Sequence, residues 1–283
     1  MKAFLAPVQQ LQFSKFGLLV LTGCLIALNL NLIGQARLTN LQVTTLLFIG
    51  AIIYRFRNQS NCLILKSGLI SKIIAASILA LVLLSSPFLV KYDFLIRLLP
   101  FMSALGLALI ASGMKGLKQY WQELMLFIVL AVPLERLIDP INQFSGVTTL
   151  IAKFSTFLLW YVGFEVARQG DTIIMPLRST WVGPNCSGVL TMMWMVQLAI
   201  LFLFVFPTNR IQKILVPITA VLIVLLVNGI RTAIMAVLAA RDYQAFEYWH
   251  SDNAQIFSTI PILLFAIFCR YLVRKNQELT PKS

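Results

Sequence analysis

Apolar runs near twenty residues, separated by short polar stretches, dominate the chain. A hydrocarbon core about 30 Å thick takes roughly 20 helical residues to cross. The runs at 16–33, 69–90, 94–114, 120–138, 186–206, 212–240 and 255–274 therefore read as membrane-spanning helices. A shorter one lies at 38–54, where LQVTTLLFIGAIIY is uncharged and ends at the anchor pair Arg55 and Arg57. Residues 141–165 differ. Lys153 falls mid-segment, and Gln143, Ser145, Thr148, Thr149, Ser155 and Thr156 make the stretch amphipathic. That pattern predicts a helix lying in the interface or re-entering, not one facing lipid. Beyond it, Gly170-Asp171 is a turn signal and TIIM is a short β-prone run, while Pro176 and Gly183-Pro184 break the chain again before Cys186. The expected fold is an all-α polytopic membrane protein, a single integral membrane domain over residues 1–283. It would carry about eight transmembrane helices, an extracytoplasmic interfacial or re-entrant helix, and a short β-hairpin before Cys186.

Composition agrees with this pattern. The chain is 59% hydrophobic and 12% charged, with a mean hydropathy of +0.86, whereas soluble domains carry about 25% charged residues. The net charge of +13 comes from basic residues set in ones and twos between apolar runs. Topology and anionic lipid headgroups account for it, so no nucleic-acid partner is expected. With eight spans and 141–165 kept on one side, both termini face the cytoplasm. The Arg55/Arg57/Lys66 and Arg270/Arg274/Lys275 clusters then lie on the cytoplasmic side, as the positive-inside tendency requires. The first helix shows no cleavage site of the A-x-A kind and reads as uncleaved. Cys24, Cys62, Cys186 and Cys269 lack CxxC spacing, so no disulfide framework, metal site or cofactor is expected.

Three unusual residues fall on the outer face in this topology. Cys186 stands in PNCSG at a polar-to-apolar junction, flanked by Asn185, Ser187 and Gly188. Asn185 reads as a helix N-cap, which would put the thiol in the first turn, where the helix dipole lowers its pKa. Arg231 lies in LLVNGIRTAIMAV, roughly 14 Å from the outer end of span 212–240 at 1.5 Å per residue. An arginine at that depth needs a polar cavity or a partner. Asn228, at i−3, shares its helical face. His250, the one histidine in the chain, follows Tyr248 and Trp249. A nucleophilic thiol, an imidazole to move its proton and a guanidinium to hold an oxyanion form the pattern of cysteine acyl transfer.

These residues resemble the exosortase/archaeosortase superfamily of membrane cysteine transpeptidases. NCSG at 185–188, NGIR at 228–231 and His250 carry the likeness, together with the lead-in GFEVARQG at 163–170 and TIIMP. It is specific from about Pro133 to Phe257 and rests on hydropathy alone over the first 120 residues. The family-like core spans about 69–275, with an extracytoplasmic segment at about 139–185. Proline before NCSG, and AQIFS at 254–258, look most like the cyanobacterial branch, the cyanoexosortases. The resemblance implies that Cys186 is the nucleophile, Arg231 the transition-state stabiliser, and His250 the position occupied by arginine in some archaeal relatives. It implies an enzyme of the inner (plasma) membrane, active at the extracytoplasmic face. Its partners would be exported proteins with a C-terminal sorting signal: a Pro-Glu-Pro-like motif, a transmembrane helix and a basic tail. The new carboxyl end would be held as a thioester and passed to an acceptor nucleophile that the sequence does not identify. Arg136, Lys153, Arg168 and Arg178, all extracytoplasmic in this topology, are candidates to pair with the motif's glutamate. Where the family often has a glycine after the histidine, this chain has Asn253.

Two other classes compete. In a transporter, Arg231 and His250 would bind an anion or relay protons, but no span carries a carboxylate far from its ends and no pair of broken helices recurs. A non-catalytic assembly factor for envelope polysaccharide or surface proteins would have no use for the thiol of Cys186.

Overall fold

The computed structural model describes residues 6–59, 67–89, 91–250 and 255–279; Cys62, Lys66 and Asn253 lie outside the described residues. They fall into two compact units, residues 1–133 and 134–283. Both are mostly helical. Five stretches among them are long and apolar enough to cross a membrane: Phe16–Gln35, Leu69–Ser86, Asp93–Ala131, Arg210–Arg241 and Ile256–Glu278. Their outer surfaces carry exposed Leu, Ile and Phe side chains, such as Leu83, Leu84 and Phe88, or Leu263 and Ile267. Apolar exposure on that scale is what a helix solvated by lipid shows. The protein is an all-α polytopic membrane protein.

The first unit contains α1 (Ala6–Gln35), α2 (Thr39–Gln59), α3 (Leu69–Leu89), α4 (Asp93–Gly116) and α5 (Trp121–Ala131). Helix α1 ends where Arg37 takes a left-handed φ of 57° and its N–H bonds the Gly34 carbonyl at 3.0 Å, turning the chain into α2. Helix α2 is not among the five apolar stretches, because Asn40, Gln42, Arg55 and Arg57 lower its hydropathy. Within α4, Gly113 (φ 68°, ψ −178°) breaks the helical path. The Tyr120 hydroxyl then hydrogen-bonds Ser112 at 2.8 Å, closing the turn that brings α5 back against α4. The sequence pattern carries an apolar span to residue 138, but α5 stops at Ala131. Val132 is extended (φ −63°, ψ 123°), as the residue before Pro133 is driven to be.

The second unit is organised on α9 (Arg210–Arg241). Its start is a reciprocal capping box: Asn209 accepts from Gln212 N–H and Gln212 accepts from Asn209 N–H. The lower half of α9 (Val216, Ala220, Val224) packs with α8 (Val189–Val205) and α11 (Gln255–Leu279). The upper half (Ala233, Ala236) packs with α7 (Val147–Tyr161) and a small sheet. Helix α6 (Ile138–Ser145) precedes α7, the two separated by left-handed Gly146. One face of α7 is fully buried, at Ile151, Ala152 and Ser155, while Lys153 is exposed. The sheet is a three-stranded antiparallel meander of β1 (Ala167–Gln169), β2 (Thr172–Ile174) and β3 (Ser179–Trp181). Gly170-Asp171 connects β1 to β2, and Gly170 is left-handed at φ 58°. The third strand goes beyond the hairpin pattern. Its turn is closed where Met175 N–H bonds the Arg178 carbonyl at 3.2 Å.

Candidate active site

The segment after β3 determines how the thiol is held. Gly183 is buried against Trp181, whose ring would lie 2.7 Å from any Cβ added there. The chain then makes one 3₁₀ turn, Pro184–Cys186, closed by Cys186 N–H on the Gly183 carbonyl at 2.9 Å. Cys186 is not in the first turn of α8, and Asn185 is not its N-cap. Gly188 is the N-cap, in the left-handed conformation (φ 78°). The completely buried Ser187 does the capping work: its Oγ donates to the Pro184 carbonyl at 2.6 Å and accepts from Val189 N–H at 3.3 Å. The proline prefers the tight turn and glycine the left-handed corner after it, so the thiol ends on a ledge ahead of the helix.

Helix α9 meets this ledge at the junction of its two packing halves. Asn228, buried, donates from Nδ2 to the Cys186 carbonyl at 2.8 Å. A Cβ on Gly188 would stand 2.8 Å from Asn228 Cγ, so the glycine is required for close approach as well as for its backbone angle. Gly229 serves the other side of the helix. A Cβ there would fall 2.1 Å from Phe154, and its carbonyl accepts from Ser155 Oγ at 2.8 Å. Arg231 lies beyond these two anchors. Its Nε is buried and without a hydrogen-bond partner, and its guanidinium lies 5.9 Å from the Phe257 ring centre.

The third side is α10 (Tyr243–His250), capped by Asp242, which accepts from Ala245 N–H at 3.0 Å. Tyr243, Phe246 and His250 follow i, i+3, i+7 and so share a face. Phe246 stacks on Tyr243 at 5.7 Å and on His250 at 5.0 Å between ring centres. Cys186, Arg231 and His250 together line a cavity of about 50 Å³, with Thr232, Met235 and Phe246. Cys186 and His250 also line an adjoining cavity of about 580 Å³, with Asn185, Trp181, Asp139 and Arg178. Of the four basic residues expected near an acidic group, only Arg178 lines this space. It lies 4.3 Å over the Tyr243 ring and donates to the Ala239 carbonyl at 3.4 Å. Arg136 and Lys153 are exposed elsewhere, and Arg168 turns back to the Gly170 carbonyl.

Sequence reasoning did not assign Asp139, Trp181 or the Tyr243/Phe246 ladder to the site. The ladder had a signal in its helical spacing; Asp139 had none.

Burial pushes the Cys186 thiol above its ordinary pKa, and the Arg231 guanidinium and a hydrogen bond with the Gly183 backbone pull the other way without overcoming it. A depressed value was expected from a helix N-terminus. The expectation fails because a three-residue turn has little dipole and the half-buried thiol loses water. The described cysteines 24, 186 and 269 are free. Among the described residues no three His, Cys, Asp or Glu side chains gather to hold a metal ion.

A family model described as Transmembrane exosortase (Exosortase_EpsH) matches residues 35–267. The match begins well ahead of the motif-bearing stretch that starts near Pro133, and takes in α2 to α5 of the first unit. No curated protein and no solved structure matches the chain. With four-fifths of its length matched, including the ledge, the NGIR turn of α9 and His250, the chain belongs to the transmembrane exosortase family.

Proposed function

We propose that the protein is a membrane cysteine transpeptidase that cleaves a C-terminal sorting signal from exported proteins through a thioester on Cys186. The observation that carries this reading is the shared cavity of Cys186, Arg231 and His250. Each brings a different capability, and the guanidinium there has a buried donor with nothing to bond.

Because burial favours the neutral thiol, the nucleophile needs a base at the moment of attack. His250 takes the thiol proton as sulfur adds to the scissile carbonyl carbon. The carbonyl oxygen becomes an oxyanion, held by the Arg231 guanidinium. When the tetrahedral intermediate collapses, the C–N bond breaks and the leaving amine takes the proton from His250. The thioester remains. An acceptor amine or water then attacks it, His250 accepts the acceptor's proton, and the thiol is restored. The adjoining cavity supplies the peptide-binding groove, with Arg178 available to an acidic side chain and the aromatic ladder to apolar ones.

In the same reading the substrate signal is Pro-Glu-Pro-like, followed by a transmembrane helix and a basic tail. The enzyme lies in the inner membrane with both termini cytoplasmic and the site outside, and its nearest subgroup is cyanobacterial. The test is to co-express a sorting-signal protein and analyse intact Cys186-containing enzyme by mass spectrometry under acceptor-limited conditions. A substrate-sized thioester adduct, released by hydroxylamine, is expected; processed substrate with no adduct at any time point overturns the mechanism.

A further inference from the structure

The first unit contains a second cavity of about 560 Å³ that the chemistry at Cys186 does not use. Its wall is almost wholly aliphatic and aromatic, drawn from α1, α2, α4 and α5. It runs from Leu18 to Asn29 along α1, about 16 Å at 1.5 Å rise per residue. The ends are not alike. At one, Asn29 donates to Ser103 Oγ at 3.1 Å and to the Leu25 carbonyl at 2.8 Å, leaving Asn29 Oδ1 unpaired. At the other, Arg57 and Glu123 line the space.

Glu123 is 6% exposed. Its Oε1 lies 3.5 Å from Arg55 Nε in an ion pair, while Oε2 is buried with no hydrogen-bond partner. An unpaired buried carboxylate oxygen is costly, and a hydrocarbon cannot relieve it. An occupant that fits must therefore be apolar over most of its length and carry a hydrogen-bond donor at the Glu123 end. Arg57, which is exposed, lines the same space and can pair with a negatively charged group carried by the same occupant.

We propose that this cavity binds one bilayer phospholipid with a primary ammonium headgroup. An acyl chain lies along the apolar wall toward Asn29, the ammonium donates to Glu123 Oε2, and the phosphate pairs with Arg57. A trimethylammonium headgroup has the same charge but no N–H, so it leaves Oε2 unserved.

The test uses native mass spectrometry of the full chain exchanged into phosphatidylethanolamine and phosphatidylcholine of identical acyl chains. One phosphatidylethanolamine per chain is expected, retained about tenfold over phosphatidylcholine, the worth of one charge-assisted hydrogen bond. Glu123→Gln should level that preference, and Leu107→Trp, which fills the cavity, should remove the bound lipid of either kind. Equal retention of the two lipids by the unmodified chain overturns the proposal, as does retention unchanged in Leu107→Trp. Should Glu123→Gln fail to fold, these two measurements still decide. Asn29→Leu should keep the lipid and its preference; loss of binding there would mean that the donor sits at the Asn29 end and the assignment to Glu123 is wrong.

Discussion

The cavity walled by α1, α2, α4 and α5 and the one beside Cys186 have nearly the same volume, about 560 and 580 Å³, and opposite chemistry. The cavity of the first unit presents hydrocarbon with one unsatisfied carboxylate oxygen. The cavity of the second unit presents a thiol, an imidazole, a carboxylate and a guanidinium among aromatic rings, and opens to the small space shared with Arg231. Size does not separate the two; convergent polar groups do. The second unit also pays for its arrangement in backbone geometry. Gly188 is left-handed against Asn228, and Gly229 lies where a side chain would strike Phe154.

That contrast can be broken most severely at sulfur. Cys186→Ala should reduce processing of a sorting-signal protein by roughly 10⁴-fold or more, measured by loss of the cleaved product with membrane insertion intact. His250→Ala should cost about 10²–10⁴-fold in kcat/KM. If it costs less than threefold, the base lies elsewhere. Arg231→Ala should lose about 10²–10³-fold, chiefly in kcat, and Arg231→Lys should recover only part, since the planar fork is gone.

Gly188→Ala sharpens the comparison through structure. It combines a left-handed alanine with a Cβ 2.8 Å from Asn228, and should destabilise by about 1–3 kcal/mol, read as a lower unfolding midpoint in detergent. The smallest effect is on pH. Since burial raises the Cys186 pKa, the alkaline-falling limb of kcat/KM, where the thiol ionises and the proton that His250 passes to the leaving amine is lost, should lie above the ordinary thiol value of about 8.5. Arg231 lowers that pKa, so Arg231→Gln should shift the limb further upward in its residual activity. Glu123→Gln should leave the limb in place; a shift there would tie the apolar cavity to the thiol.

Much of the fold was legible because hydropathy is a local property. Helices α3, α4, α9 and α11 each contain a run of apolar residues that no soluble packing would need. The breaks were partly legible: Pro133 stops α5 through the residue before it, an effect readable from one dipeptide but outweighed in the pattern by the apolar residues on either side. The third strand was not, because STW lacks an apolar alternation and gains its place from pairing with β2. At the site, the thiol, NGIR and the histidine were chemically conspicuous as residue types.

What the sequence by itself determined is therefore the class of molecule, its family motifs and the kinds of group available for chemistry. These come from composition and short-range spacing. Only the tertiary structure decided that Gly188, not Asn185, caps α8, and that Ser187 ties the turn. It also decided that Arg178 and Asp139 reach the groove while Arg136, Lys153 and Arg168 do not, and that the thiol is raised, not depressed. Each of these depends on what a residue far along the chain places beside it, and burial and hydrogen bonding across that distance have no signature in the local pattern.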